Sequence, residues 1–362
     1  MAQAGRILTR PRITAGLFLV LLVLAGWRFA DTAGLLRRLE PLAPGPCMAI
    51  AGFDGPEDIV VDPERRLAYV TNADRRGVTL NGTPPDGAIM LLSLADGAAA
   101  VPQRLEPLPP ETFFPHGLDL WIGADGERRL FVVNHGRDGH AHAVEIFRVS
   151  DDGHRLVHIE TIRSSTFIDP NDIVAVGPRQ FYLTNLHGSR SSLARKLEGY
   201  LMLPLASAVY YDGARAREVV KGLAMANGIA RSADGSRIYI AEITGRAVNA
   251  FFRAPGGGTL GKSWRLELPM GVDNLSMDAD GVLWAAGHPR LLAISARLAG
   301  GDAPSPSEVI RIDGAGGDAP TWETVYLDDG RELSAASVAV HVGGQILIGA
   351  VFGDKVLDCR LP

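Results

Sequence analysis

Cysteine is nearly missing from this chain of 362 residues: Cys47 and Cys359 are the whole complement, which leaves at most one disulfide. An excess of basic residues is missing too. Lys and Arg number 36 against 41 Asp and Glu, the formal charge is -5 and the pI about 6.0, so a nucleic-acid partner has no electrostatic support. No G-x-S-x-G nucleophile elbow occurs, so a serine hydrolase is poorly supported. The apolar stretch near the N-terminus is not followed by a clean small-x-small cleavage site.

That stretch is the first thing present. Arg6, Arg10 and Arg12 precede ITAGLFLVLLVLAGW, Ile13 to Trp27, a basic region followed by a hydrophobic one. Trp27 and Arg28 suit a membrane interface. The preferred reading of residues 1–30 is an uncleaved signal-anchor, with a removed signal as the alternative. Either makes the chain exported, and membrane-anchored, periplasmic or extracellular. Residues 31–46 read as a linker. In an exported chain, an even and widely separated cysteine pair reads as a disulfide, with two buried free thiols as the alternative.

The remainder is 46% hydrophobic over the whole chain and rich in turn formers, with Gly 42 and Pro 23, which favours many turns over long helices. One pattern recurs. EDIVVDPERRLAYVTN starts at Glu57, HGLDLWIGADGERRLFVVNH at His116, and NDIVAVGPRQFYLTN at Asn171. NGIARSADGSRIYIAEI follows from Asn227, DNLSMDADGVLWAAGH from Asp273, and a weaker SVAVHVGGQILIGAVF from Ser337. Each is a polar or small residue, a short apolar strand, a turn signal and a second apolar strand, which reads as a hairpin. The copies lie roughly 45 to 65 residues apart, near the length of a propeller blade. Further strand candidates lie between them: GAIMLLSL, AVEIFRVS, AVYYD, AVNAFFR and EVIRID. Four strands, six times, predict an all-β fold, a six-bladed β-propeller over residues 47–362. A solenoid is the structural alternative, but only a closed ring gives the two termini a reason to meet.

If the first strand of each hairpin is innermost, its opening residues crowd one mouth of the central channel. They are Glu57 and Asp58, His116, Asn171 and Asp172, Asn227, and Asp273 and Asn274. Singly, Asn and Asp often serve turns; their recurrence in phase points to a site. The groups are mostly acids and amides, an oxygen set that suits calcium better than magnesium or zinc. His116 opens its hairpin, His135 follows the second strand of the same hairpin, and His288 ends the matching strand two blades on from Asn171. The His116–His135 pair is a candidate general base with its partner. One segment breaks the rhythm: SRSSLARKLEGYLMLP, about 189–204, places Leu193, Leu197, Tyr200 and Leu201 on one helical face. Ser191 or Ser192 is a candidate cap. The helix either forms a lid over the active face or touches a membrane surface; an ordinary packed helix is the third choice.

In order, PEDIVVDP, PHGLDL, LFVVNH, NDIVAVGPRQFYLTN, ANGIARSADGSRIYIAE, VDNLSMD and GHP resemble the motifs of the paraoxonase (arylesterase/lactonase) family, from about Cys47 to Cys359. The resemblance implies a six-bladed propeller closed by a disulfide, a retained hydrophobic N-terminus and two calcium ions. It implies that Glu57, Asn171, Asn227, Asp273 and Asn274 hold a catalytic calcium. It gives Asp58 and Asp172, with the backbone carbonyl of Leu118, to a structural calcium. It makes His116 and His135 the catalytic dyad. The chain departs from the family at Gly287, where vertebrate members often have cysteine, at Met225, which replaces an aromatic, and in the loop Thr71 to Gly77. Met225 and His288 are candidate substrate-pocket residues, and these departures favour lactones over aryl esters and organophosphates.

The resulting expectation is calcium-dependent hydrolysis of lactones and some aryl esters, with small-molecule substrates and membrane contact through the N-terminal helix and the 189–204 helix. The competing readings are a calcium-stabilised propeller without catalysis, a sugar-lactone hydrolase, and a strictosidine-synthase-like condensing enzyme. The last would lack the full set of oxygen ligands.

Overall fold

The computed structural model describes residues 10–84, 86–95, 100–106, 109, 112–136 and 142–361, with the backbone alone for 10–16; Arg6 lies outside the described residues. Six four-stranded sheets form, each antiparallel throughout. The expected six-bladed β-propeller is the fold.

In five blades the first strand of the hairpin is followed by partners in sequence order, and in the sixth the outermost partner comes from the start of the chain. These first strands are Pro56–Asp62, Pro115–Ile122, Pro170–Ala175, Ala226–Arg231, Gly271–Met277 and Ala336–Val342. Second strands such as Phe181–Asn185 and Arg237–Glu242 are buried along their whole length. They are covered on both faces by neighbouring blades, so their sequences are continuous apolar runs instead of alternating ones. Between the first two blades pack Tyr69, Leu118, Leu130 and Phe147; between the last two pack Trp284, Tyr326, Ala339 and Ile346. Burying one such side chain contributes about 1.5–3 kcal/mol.

The ring closes in its sixth sheet. The first strand of the chain, Cys47–Ala51, is the outermost strand of that sheet and pairs with the last, Lys355–Arg360. Cys47 stands opposite Cys359, and the two form the disulfide across a separation of 312 residues. The free-thiol alternative is excluded.

Among the described residues, four helices lie outside the sheets. Helix α1, Arg10–Thr32, extends past the apolar run at both ends and exposes Leu17 to Leu24. Among the described residues no helix is long and apolar enough to cross a membrane. Residues after α1 are strapped to the propeller. Arg37 pairs with buried Glu308 and donates to Pro269 O at 3.2 Å, and Leu42 bridges to Leu327. Helix α2, Arg75–Asn81, begins within the loop Thr71 to Gly77; Asp74 caps it, accepting from Gly77 N at 2.7 Å. Helix α3, Ser192–Tyr200, fills the expected insertion, but Ser191 makes no side-chain cap. Helix α4, Leu291–Leu298, was not foreseen.

Candidate functional site

A register shift marks the start of every first strand. Between Pro56 and Ile59 the strand advances three residues while its partner advances two, from Asn72 to Val70. The same extra residue appears between Pro115 and Leu118, Pro170 and Ile173, Ala226 and Ile229, and Val272 and Leu275. Bulges of this kind bend a strand and re-aim its side chains. In these five blades the bulged residues are the polar ones singled out by the sequence: Glu57–Asp58, His116, Asn171–Asp172, Asn227 and Asp273–Asn274. The sixth blade bulges at Ser337 and carries no acid there.

The bulges bring the blades together at the axis. Asn274 Nδ2 donates to Glu57 Oε1 at 2.9 Å, and Ser337 Oγ donates to Glu57 O at 2.6 Å. Asp58 Oδ2 accepts from Leu118 N at 2.8 Å, and Asp172 Oδ2 accepts from Ile229 N at 2.7 Å. Leu118 thus meets the cluster through its amide. Gly117 fits against Asp172, and Gly228 against Asp273 and Asn274, so closely that a Cβ would lie 2.4–2.6 Å from their atoms. His288 Nε2 lies 2.8 Å from Asp273 Oδ2 and is buried, so it backs the cluster. Met225 adopts φ 54°, and its sulfur lies 3.5 Å from where a Cβ on Gly199 of α3 would stand.

The electrostatics are those of crowded buried acids. Burial raises Asp58 well above 3.8, and the charge of Glu57 adds to it; burial, then Asp58, does the same to Asp172. Burial also raises Asp273. Glu57 is the exception: burial opposes its charge, but His116, Arg75 and Asn274 outweigh it and hold the carboxyl at about 2. Four buried oxygens around this mouth have no hydrogen-bond partner: Glu57 Oε2, Asn171 Oδ1, Asn227 Oδ1 and Asn274 Oδ1. Buried oxygens without partners are costly, and a hard cation with oxygen ligands would satisfy all four. Among the described residues no group of three or more His, Cys, Asp or Glu is gathered to hold a metal.

Beside the acids stands the imidazole pair. His116 Nδ1 lies 2.7 Å from His135 Nε2, and His116 Nε2 lies 3.6 Å from Glu57 Oε1. Burial, then His116 and His142, pushes His135 well below 6.5. Helix α3 covers the same end. Arg195 reaches from it to Asp169 Oδ1 at 2.9 Å and to Ile168 O at 2.9 Å, and Asp169 Oδ2 also meets His187 at 2.6 Å. Its other face exposes Leu193, Leu197, Tyr200 and Leu201. A cavity of about 490 Å³ lies further along the channel, beyond Asp58 and Asp172. Neither His116 nor Glu57 lines it.

Some contributors were not read from the sequence. Arg75 of α2 lies 3.8 Å from Glu57 Oε2 and donates to Pro115 O at 2.9 Å. The second strands end in residues that brace the loop before their own first strand. Asn72 accepts from Asp54 N, Asn134 from Phe114 N, Asn185 from Ile168 N and Glu242 from Ala224 N, at 2.6–3.0 Å. The signal was available: VTN, VVN, LTN and IAE end successive hairpins in phase.

Comparison with known proteins places the chain in context. A family model described as Arylesterase matches residues 86–361. Serum paraoxonase/arylesterase 2 of Gallus gallus is 34% identical over 339 residues, covering 92% of this chain and 94% of that protein. Serum paraoxonase/lactonase 3 of Oryctolagus cuniculus is 33% identical over 342 residues, with coverage of 92% and 94%. Among solved structures, a gluconolactonase from Xanthomonas campestris superposes with a TM-score of 0.52 at 17% identity, covering 90% of this chain and 99% of that one.

Proposed function

The chain belongs to the arylesterase family and is an ester hydrolase, and from that premise we propose that it is a calcium-dependent lactonase. The observation that carries this reading is the set of four buried oxygens without hydrogen-bond partners, one of them on Glu57, which lies beside a His–His pair at 2.7 Å. Glu57, Asn171, Asn227, Asp273 and Asn274 would hold the catalytic ion. Asp58, Asp172 and the backbone carbonyl of Leu118 would hold a second, structural one, whose charge would offset the buried acids there. A bound calcium supplies a Lewis-acid charge for a carbonyl oxygen that becomes an oxyanion.

The chain's own groups handle the proton. Water adds to the acyl carbon and gives its proton to His116 Nε2, the ring nitrogen on the Glu57 side. The Glu57 carboxylate favours the imidazolium so formed. His135, kept neutral by burial, holds the His116 ring through its Nδ1. When the acyl C–O bond breaks, the proton passes to the leaving alkoxide and a hydroxy acid results. Lactones rank above aryl esters because Met225 and the loop Thr71 to Gly77 depart from aromatic substrate contacts of the family; the relatives' names include both arylesterase and lactonase.

The same reading divides the chain into a signal segment 1–30, a strap 31–46 and a hydrolase domain 47–362. Export is supported by the disulfide and by relatives named as serum proteins. The exposed leucines of α1 and the apolar face of α3 fit peripheral contact with a lipid surface.

The test is a panel of lactones and aryl esters, assayed before and after removal of calcium with metal analysis of each sample. Lactone turnover should vanish with the metal and return when calcium is restored. Unchanged turnover in calcium-free protein would reject the mechanism. Asn274→Ala should lose both metal and activity, whereas His116→Gln should keep metal and fold and lose turnover by about 10²-fold or more.

A further inference from the structure

The proposed chemistry leaves one buried imidazole without a role. His142 stands immediately before the third strand of its blade, Ala143–Val149, and is 5% exposed. Its Nδ1 lies 3.0 Å from His135 Nδ1, with the two rings nearly perpendicular at 82°. Three imidazoles therefore run in a row, from Glu57 at the axis through His116 and His135 to His142.

A neutral imidazole has one donor and one acceptor, so the row has only two consistent proton registers. In the first, His116 carries its hydrogen on Nδ1 and donates to His135 Nε2. His135 then carries its hydrogen on Nδ1 and donates to His142 Nδ1. This register leaves His116 Nε2 as a bare acceptor facing the acids, as a general base requires. In the second register every hydrogen moves to the other nitrogen. His142 then donates from Nδ1, and the hydrogen on His116 sits on Nε2, where it blocks the base.

We propose that His142 is a positioning residue: by accepting from His135 Nδ1, it fixes the tautomer of His135 and, through it, the base-competent tautomer of His116. This rests on the reading of His116 as the base. His142 touches no substrate in this account. It acts through the ring it holds, as an orienting group does in catalytic triads.

The test combines kinetics with a measurement that needs no substrate. His142→Phe removes the acceptor and keeps a ring of similar size. It should lower kcat on a lactone by about tenfold to a hundredfold, with KM changed by less than about twofold. His142→Asn, whose Oδ1 can stand near the lost Nδ1, should recover most of kcat. Nitrogen-15 NMR of histidine-labelled wild type should show His135 protonated on Nδ1 and bare on Nε2, a pattern lost in His142→Phe. The proposal is overturned if kcat is unchanged in a folded His142→Phe. It is equally overturned if His142→Asn falls as far as His142→Phe, or if wild-type His135 is protonated on Nε2. A wild type inactive on every lactone, but with His135 protonated on Nδ1, would reject the hydrolysis reading and still support the positioning role.

Discussion

At the scale of single residues, the channel mouth is governed by the cost of burying charge. Asp58 and Asp172 each accept two backbone amide hydrogen bonds, from Ile59 and Leu118 and from Ile173 and Ile229, yet burial, with the charge of Glu57 acting on Asp58 and that of Asp58 on Asp172, still raises both well above 3.8. A carboxyl whose folded pKa exceeds its unfolded one favours folding while protonated. That contribution is complete below the unfolded value of 3.8 and disappears as pH rises through the raised folded values. Calcium-depleted protein should therefore melt at a lower temperature at pH 8 than at pH 5. Added calcium should raise the melting temperature more at pH 8. Thermal melts at the two pH values check this, and an equal calcium effect at both would count against a buried ion between these acids. Residues of this kind were legible because they recur in phase with the hairpins. His142 and Arg75 were not, because each occurs once, in segments without a repeat to compare; their roles come from contacts formed only when the blades close.

At the scale of elements, the bulged first strands and the polar ends of the second strands work together. The bulge re-aims the side chains at its apex, and the last residue of the neighbouring strand braces the loop that leads into it. Asn185 illustrates the coupling: its Oδ1 accepts from Ile168 N and Asp169 N, while its Nδ2 donates to Thr166 O and Ser207 Oγ. Asn185→Ala would leave several buried backbone groups unpaired and should cost about 2–4 kcal/mol of stability. It should also weaken calcium binding, because Asn171 follows that loop. Denaturant unfolding and a calcium titration check both effects; a variant with wild-type stability would show that the brace is dispensable. The hairpins could be read because two apolar strands flank a turn signal. The outer strands could not: Ala216–Leu223 and Thr321–Asp328 lie half-exposed at the rim, and their mixed sequences carry no clean period. Helices α2 and α4 are short, and neither has a sustained apolar period that a sequence reading can weigh.

At the scale of the whole molecule, the channel exists only if the ring is shut. Closure is made by the pairing of Cys47–Ala51 with Lys355–Arg360 and by the disulfide within that pair. A crosslink spanning 312 residues restricts the unfolded chain strongly. Replacing both cysteines by serine should cost about 2–5 kcal/mol, read as a lower denaturant midpoint. It should also loosen calcium binding, since the first and fifth blades both supply oxygens to the cluster. An unchanged midpoint would mean that strand pairing alone closes the ring. The architecture was readable from the six-fold repeat and the terminal cysteines together. The strapping of Arg37 to Glu308 across the ring was not, because an arginine in a linker gives no sign of its distant partner.

The most direct measurement is bound calcium and lactone turnover on the same dialysed samples of wild type and the Asn171→Ala, Asn227→Ala double variant. Removing two of the four partnerless oxygens should weaken calcium binding by at least about tenfold, with turnover falling in step as free calcium is lowered. Full lactone turnover from protein that holds no calcium would contradict it.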